Sequence, residues 1–141
     1  MIDNNKKQTK PEFILISACT GSDHDWLNNE MLENDLIRLG EPYKQVRGYY
    51  QDIDELSYYV ELTKTESAHK LLELARKYKQ HSILHVFKNR CSVLIETKGY
   101  KMTQLGTFKQ VPKDFALQHK AYTHDPVNGG YYITTKTPIK R

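Results

Sequence analysis

The sequence predicts an α+β fold of the ferredoxin-like type: an antiparallel sheet with two helices on one face and extra C-terminal strands. Apolar or alternating runs of strand length recur along the chain. Two longer segments instead have the apolar spacing of amphipathic helices. These segments follow one another in the order β-α-β-β-α-β-β, which is the split βαβ pattern.

The first strand and the first helix are predicted within residues 13–39. Residues 13–18 (FILISA) form a short apolar run, which Thr20-Gly21-Ser22-Asp23 ends. Asp23 or Asp25 can cap a helix from about residue 26 to residue 39, with Gly40 at its C-terminal cap. The apolar stripe expected to face the core is Leu27, Met31, Leu32, Leu36 and Leu39.

Two strands rich in Tyr and Val precede the second helix. They cover residues 43–50 and 55–63, with residues 51–54 as the turn between them. Thr63 and Glu66 have the spacing of a capping box before the helix. The apolar residues of this helix follow helical spacing: Ala68, Leu71, Leu72, Ala75 and Tyr78.

The C-terminal part is predicted to be β-structure. A hairpin over residues 82–87 and 91–97 turns at Lys88-Asn89-Arg90, and another strand covers residues 102–111. A further hairpin within residues 119–135 turns at Asn128-Gly129-Gly130.

The 141 residues are expected to form one domain. Residues 1–11 are polar and basic and are predicted to be a disordered arm, residues 12–135 to be the folded domain, and residues 136–141 to be a loose basic tail. A chain of this size leaves little volume for a deep pocket, so we expect a ligand site in a surface cleft or between subunits. Subunit association is also indicated by strand residues that are apolar or aromatic on both faces: Tyr58, Tyr59, Val60 and Leu62.

Composition and charge exclude some classes of partner. No stretch is long and apolar enough for a transmembrane helix, and the N-terminus lacks the apolar segment of a secretory signal, so we expect no membrane and a cytoplasmic location. The formal net charge is +4, and tyrosines stand beside lysines at Tyr43-Lys44 and Tyr100-Lys101. Base stacking on such tyrosines is one interpretation. The favoured interpretation is that these tyrosines are half-buried strand residues and that the lysines are solvated. Nucleic acid is therefore not an expected partner.

No residue pattern predicts a metal or a cofactor. Asp23-His24-Asp25 is interpreted as a helix start, and His81 and His85 lie on a predicted strand, where four-residue spacing does not suit two ligands. Cys19 ends a buried strand and is interpreted as packing. One cluster remains, at residues 48–57, where a glycine-aromatic strand end faces a carboxylate across a turn. From composition alone it is an ordinary hairpin.

Several segments of the chain resemble the phage S-adenosylmethionine lyases, formerly called hydrolases. The match begins at FILISACTGSD and continues at RGYYQ, DELSYYVEL and SAHKLLELARKYKQHSILHV. It is most distinctive at KGYKMTQLGTFKQVPKDFALQ, which is similar to the family's GYK…G-x-F…VPK segment. The resemblance covers roughly residues 12–125. The helix and the E-x-S strand start also occur in a bacterial family of unknown function, so the late segment decides the assignment.

The resemblance implies a site and an assembly. The family's active-site tyrosine and glutamate correspond to Tyr50 and Glu55, with Tyr49 and Asp54 as alternatives because the turn is shorter here. We expect substrate to be bound by four residues of the matched segments: Ser17, Thr20, Ser57 and Gln104. The family is similar in fold to trimeric PII-like proteins, which implies a homotrimer with sites between subunits.

The implied activity is that of a carbon–sulfur lyase. The substrate's own carboxylate attacks its γ-carbon, which yields L-homoserine lactone and 5′-methylthioadenosine without a metal or cofactor. The sulfonium loses its charge in this step, so a carboxylate against the sulfur would slow it, and we expect Glu55 to bind the α-ammonium instead. For a phage, loss of this metabolite in the host cytoplasm would disable restriction systems that need it. The alternatives are direct hydrolysis with Glu55 as general base, or a non-enzymatic module that binds a nucleic acid or a host protein such as the methionine adenosyltransferase.

Overall fold

The computed structural model of the chain describes residues 10–50 and 53–135. Its strands are β1 Phe13–Ile16, β2 Tyr43–Tyr50, β3 Ile53–Glu61, β4 Ser82–Val86, β5 Cys91–Glu96, β6 Met102–Val111, β7 Ala121–His124 and β8 Tyr131–Thr135. Its helices are α1 Asp25–Leu39, α2 Ser67–Lys77 and the short α3 Lys113–Ala116. The predicted arm at residues 1–11 lies largely, and the basic tail wholly, outside the described residues. Within them, no helix is long and apolar enough to cross a membrane.

The strands form one closed antiparallel barrel in the order β1-β3-β2-β7-β8-β6-β5-β4, with β4 returning to β1. The predicted ferredoxin-like, PII-like fold is therefore wrong. An open sheet would end at β2 and β4, but β2 continues to β7 and β4 continues to β5. The β6·β8 and β7·β8 pairs close the ring. The C-terminal strands thus complete the architecture, because closure leaves no strand edge unpaired.

Successive side chains of each strand alternate between the barrel interior and the outer face. On the outer face, Ile14, Ile16, Tyr58 and Val60 pack under the buried sides of α1 and α2. The interior is filled at the end where β1 begins and β4 finishes, by Phe13, Val86 and Phe108, with Leu15, Tyr59, Leu84 and Tyr132 against them. The strands are therefore apolar on both faces for a reason internal to one chain, and this pattern is no sign of subunit association.

Both long helices lie within a residue or two of their predicted positions, but their ends are built differently. Gly40 ends α1 with φ 83° and donates its N–H to Leu36 O at 3.2 Å, as predicted. Leu27 and Met31 of the predicted stripe are 39% and 42% exposed, since α1 buries Asn29 and Asp35 alongside Leu32 and Leu36.

The predicted capping box of α2 is wrong, because Glu41 takes its place. The Glu41 carboxylate is buried and accepts hydrogen bonds from the Thr63 and Lys64 N–H groups and from the Ser67 hydroxyl at 2.6–3.0 Å. Burial alone would raise the pKa of Glu41. The hydrogen bonds from Ser67 and Thr63 outweigh it and hold that pKa below its usual value.

The strand predictions are mostly confirmed, with two local differences. Strand β3 begins at Ile53, paired with Tyr50, so residues 53 and 54 belong to the strand and not to the turn. Strand β6 has the predicted bounds but contains a bulge: Ser92 pairs with Gly106 and Val93 with Gln104, which leaves Leu105 without a partner in β5.

Candidate active site

The barrel interior contains an open cavity of about 920 Å³. It lies at the end of the barrel where β1 finishes, where the β2–β3 hairpin turns and where β4 begins, and all eight strands contribute lining residues. One chain thus has room for a cavity of ordinary ligand size, because a closed barrel has an interior of its own. An interior of this volume is ample for a nucleoside-sized ligand.

Glu55 is the only carboxylate among the described residues that line this cavity. It is half-buried near the start of β3. Burial raises the pKa of the Glu55 carboxyl, and the negative charge of Asp25 raises it further. A desolvated carboxylate beside a second negative charge is a favourable place for a cation.

Gly48 faces Glu55 directly across the β2–β3 ladder. A Cβ atom at position 48 would come within 3.1 Å of Ser57 Oγ, so the glycine keeps the space between Glu55 and Ser57 open. Ser57 also lines the cavity. The Gly48 position thus gives a ligand access to the polar side chains of β3.

Tyr50 lies on the same face of β2 as Gly48 and also lines the cavity. It is 59% exposed, so its ring is free to contact a ligand at the cavity mouth. The alternatives occupy the opposite face: the Tyr49 ring stacks on Tyr122, and Asp54 forms an ion pair with Arg47 Nε at 3.1 Å. Tyr49 still reaches the cavity, whereas Asp54 does not.

Ser17 and Thr20 both line the cavity after β1. The Ser17 hydroxyl donates to Leu56 O at 2.8 Å and accepts from the Cys19 N–H, so its main contacts tie β1 to the residue next to Glu55. Thr20 lies in an exposed loop whose N–H groups, from residue 20 to residue 22, point at the Asp25 carboxylate. Asp25 therefore organises this loop and does not cap α1.

Gln104 is not brought to this cavity. Its amide donates to Cys91 Sγ at 3.1 Å, and its partner Val93 packs with the outer cluster. The bulge at Leu105 causes this placement, because the extra residue reverses the alternation of β6 and turns Leu105 inward instead. No sequence pattern indicated this bulge apart from Gly106, whose φ is 111°.

A second groove, of about 520 Å³, adjoins the cavity at Glu55 and Ile53. Its carboxylates outnumber its one arginine, Arg47: they are Asp25, Glu30, Glu33, Asp54 and Glu55. This groove adds negative potential beside Glu55 and so favours a positively charged ligand. Three of these carboxylates belong to α1 and two to β3. Sequence alone could not predict the groove, because these two elements are brought together only by the fold.

Two basic residues that no sequence motif indicated as site residues are Lys79 and His81. Both rim the cavity in the loop between α2 and β4. His85 lies elsewhere, bonded to Glu12 at 2.6 Å, so the two histidines share no site. Among the described residues, no group of three or more ligand-type side chains could hold a metal ion.

A comparison with known proteins identifies the family of the chain. The sequence model of the S-adenosylmethionine lyase family matches residues 14–135, from β1 to the end of β8. No curated protein matches the chain in sequence. The family resemblance deduced from the motifs is therefore confirmed, and the matched region contains the whole lining of the barrel cavity.

Proposed function

The chain belongs to the S-adenosylmethionine lyase family, and on this premise we propose that it cleaves S-adenosylmethionine to 5′-methylthioadenosine and L-homoserine lactone within the barrel cavity. The observation that carries the proposal is the position of Glu55. It supplies the one described carboxylate in a cavity large enough for the substrate, and burial and Asp25 prepare it for a cation.

The substrate carries two positive groups, and their fates differ. The sulfonium becomes a neutral thioether, whereas the α-ammonium keeps its charge throughout. Glu55 would slow the step if it stabilised the charge that disappears. We therefore assign Glu55 to the α-ammonium, where its attraction is equal before and during the reaction and holds the methionine tail in place.

The bond changes balance without any other reactant. One oxygen of the α-carboxylate attacks the γ-carbon, the carbon–sulfur bond breaks, and its electron pair stays on sulfur. The products are a neutral thioether and a lactone that keeps its ammonium, so no proton needs to be transferred. The protein contributes by holding the methionine tail in a folded shape, with the carboxylate against the γ-carbon. Holding reacting atoms in contact lowers the activation free energy by up to roughly 7–11 kcal/mol in the best cases.

Tyr50 and Ser57 flank the Glu55 position on the same face of the hairpin and support the proposal as substrate contacts. We assign the Tyr50 hydroxyl to the methionine tail, because a ring held against the sulfonium would favour the ground state, as a carboxylate would. Ser17 and Thr20 are assigned to the wall beside Glu55. Gln104 bonds to Cys91 away from the cavity, so the proposal gives it no substrate contact.

One observation favours a second candidate, direct hydrolysis to homoserine. A carboxyl whose pKa is raised is better suited to act as a general base toward water. A time course of products separates the two reactions. Lactone that appears before homoserine supports the lyase, homoserine from the first turnover supports the hydrolase, and absence of methylthioadenosine contradicts both.

The wider role follows from the same chemistry. We propose that the enzyme depletes S-adenosylmethionine in a bacterial cytoplasm and that a phage thereby evades restriction. Wild-type protein should relieve an auxotrophy that depends on repression by this metabolite, and Glu55→Gln should not. Equal rescue by both would favour binding to the host methionine adenosyltransferase instead of turnover.

A further inference from the structure

The C-terminal end of α2 contains a lysine in a backbone conformation that favours glycine. Lys79 has φ 60° in a Schellman motif, in which its N–H bonds to Arg76 O at 3.0 Å and the Gln80 N–H bonds to Ala75 O at 2.9 Å. Glycine is the usual residue at this position because a Cβ atom is unfavourable there. The cap requires the left-handed conformation but not a lysine, so Lys79 carries a conformational cost that glycine would avoid.

Lys79 is one of the lining residues of the barrel cavity. It is exposed, and its ammonium has no hydrogen-bond or ion-pair partner among the residues the structure describes. The loop around it is fixed: the Gln80 amide donates to Cys19 O at 2.8 Å, and the Thr97 hydroxyl donates to Gln80 O at 2.6 Å.

This fixed loop is linked to the Glu55 side of the cavity. Cys19, three residues after β1, accepts the Gln80 amide at its carbonyl and also directs its thiol at Leu56 O. The Ser17 hydroxyl bonds to the same carbonyl. The loop that bears Lys79 and the strand that bears Glu55 are thus tied to one segment of chain between them.

We propose that Lys79 binds the α-carboxylate of the substrate, opposite the α-ammonium bound by Glu55; this inference rests on the proposed function. An amino-acid tail needs both charges recognised, and the cavity offers one carboxylate and, in Lys79, one permanent cation among its described lining residues. Lys79 would thereby select substrates with a free carboxylate.

The same charge argument predicts the kinetic signature. The carboxylate loses its negative charge as the lactone forms, so its ion pair with Lys79 is stronger in the ground state than in the transition state. Lys79 should therefore lower KM at some cost in kcat, so its role is to select and bind the substrate and not to accelerate the step. A residue with a merely structural role would not produce this pattern.

The test compares Lys79→Gly, Lys79→Asn and Lys79→Arg with the control Lys70→Ala, an exposed lysine on α2. We expect glycine and asparagine to raise KM about tenfold, with kcat unchanged or higher. Both residues tolerate positive φ, so Tm should not fall. Arginine should retain most of the affinity. An unchanged KM in both neutral variants, or a rise in KM for His81→Gln in their place, would overturn the assignment.

A binding measurement separates this inference from the proposed function. The probes are S-adenosylhomocysteine and its decarboxylated counterpart, neither of which is cleaved in this reaction. Wild-type protein should prefer the first about tenfold, and Lys79→Gly should bind the two equally. A preference that persists in the variant would contradict the role of Lys79 even if the wild type is a lyase. Loss of the preference would support that role even if no methylthioadenosine forms.

Discussion

Gly48 lies directly opposite Glu55 in the β2–β3 ladder, so the proposed ammonium-binding carboxylate faces a position with no side chain. The nearest atom to a Cβ at position 48 would be Ser57 Oγ, at 3.1 Å. The absence of a side chain is thus what connects Glu55 and Ser57 to the open cavity.

The first prediction is that Gly48→Ala lowers kcat/KM at least tenfold while Tm changes little. Residue 48 does not have the positive φ that favours glycine, and alanine is tolerated in a strand, so the added methyl group acts mainly by filling ligand space. The measurement is steady-state kinetics beside a thermal melt. Full activity in the Gly48→Ala, Ser57→Ala double variant would show instead that crowding of Ser57 is the cause.

The second prediction concerns pH. Glu55 must be ionised to bind an ammonium, so kcat/KM should fall as the pH drops through its raised pKa. Burial is the main cause of that raised pKa and the charge of Asp25 is the second, so Asp25→Asn should lower it and move the acidic limb to lower pH. Glu30→Gln, in the same groove, is the control and should leave the limb in place. A shift to higher pH for Asp25→Asn would contradict the electrostatic account.

The third prediction concerns the stability of the α2 cap. The folded-state pKa of Glu41 is depressed, so its contribution is present above the unfolded pKa of about 4.3 and is lost as the pH falls through the folded value. Glu41→Gln should cost about 1–3 kcal/mol of unfolding free energy at neutral pH. Denaturant melts at several pH values should show the difference shrinking in acid. The exposed Glu73→Gln control should change stability little.

Local patterns were sufficient to predict most elements but not their closure. The α2 helix, the β4–β5 hairpin and the turn before β8 each depend on neighbours in sequence. Closure depends on β7 pairing with β2, which joins residues such as Thr123 and Gly48 that no local pattern relates. Once β7 is in place the sheet has no free edge, and an open two-layer fold is excluded.

The site was predictable to a similar extent. Gly48 pairs with Glu55 across the hairpin, and alternation along β2 places Tyr50 on the same face as Gly48. A sequence motif that identifies Glu55 as a site residue therefore also indicates Tyr50. Gln104 could not be placed, because one extra residue in β6 reverses which side chains point inward. Lys79 could not be identified from sequence. A lysine in place of glycine at a helix end indicates a site only when the structure shows that it lies beside a cavity.

The fourth prediction is the homotrimer, which rests on the family resemblance. Light scattering should give three times the chain mass. The cavity lies within one chain and is large enough for a ligand. The limited volume of one chain is therefore no longer an argument for a site shared between subunits. A monomer that remains fully active at nanomolar dilution would contradict the trimer.

The central claim is that Glu55 holds the substrate for cleavage, and one measurement tests it most directly: methylthioadenosine production by Glu55→Gln and by Asp54→Asn. The two neighbours lie on opposite faces of β3, and only Glu55 lines the barrel cavity. We expect Glu55→Gln to lose activity by at least a hundredfold. Its Tm should stay the same or rise, because a half-buried carboxylate whose pKa is raised opposes folding when ionised. Asp54→Asn should keep most of its activity. A folded Glu55→Gln enzyme with near wild-type turnover, or loss of turnover in Asp54→Asn alone, would contradict the account.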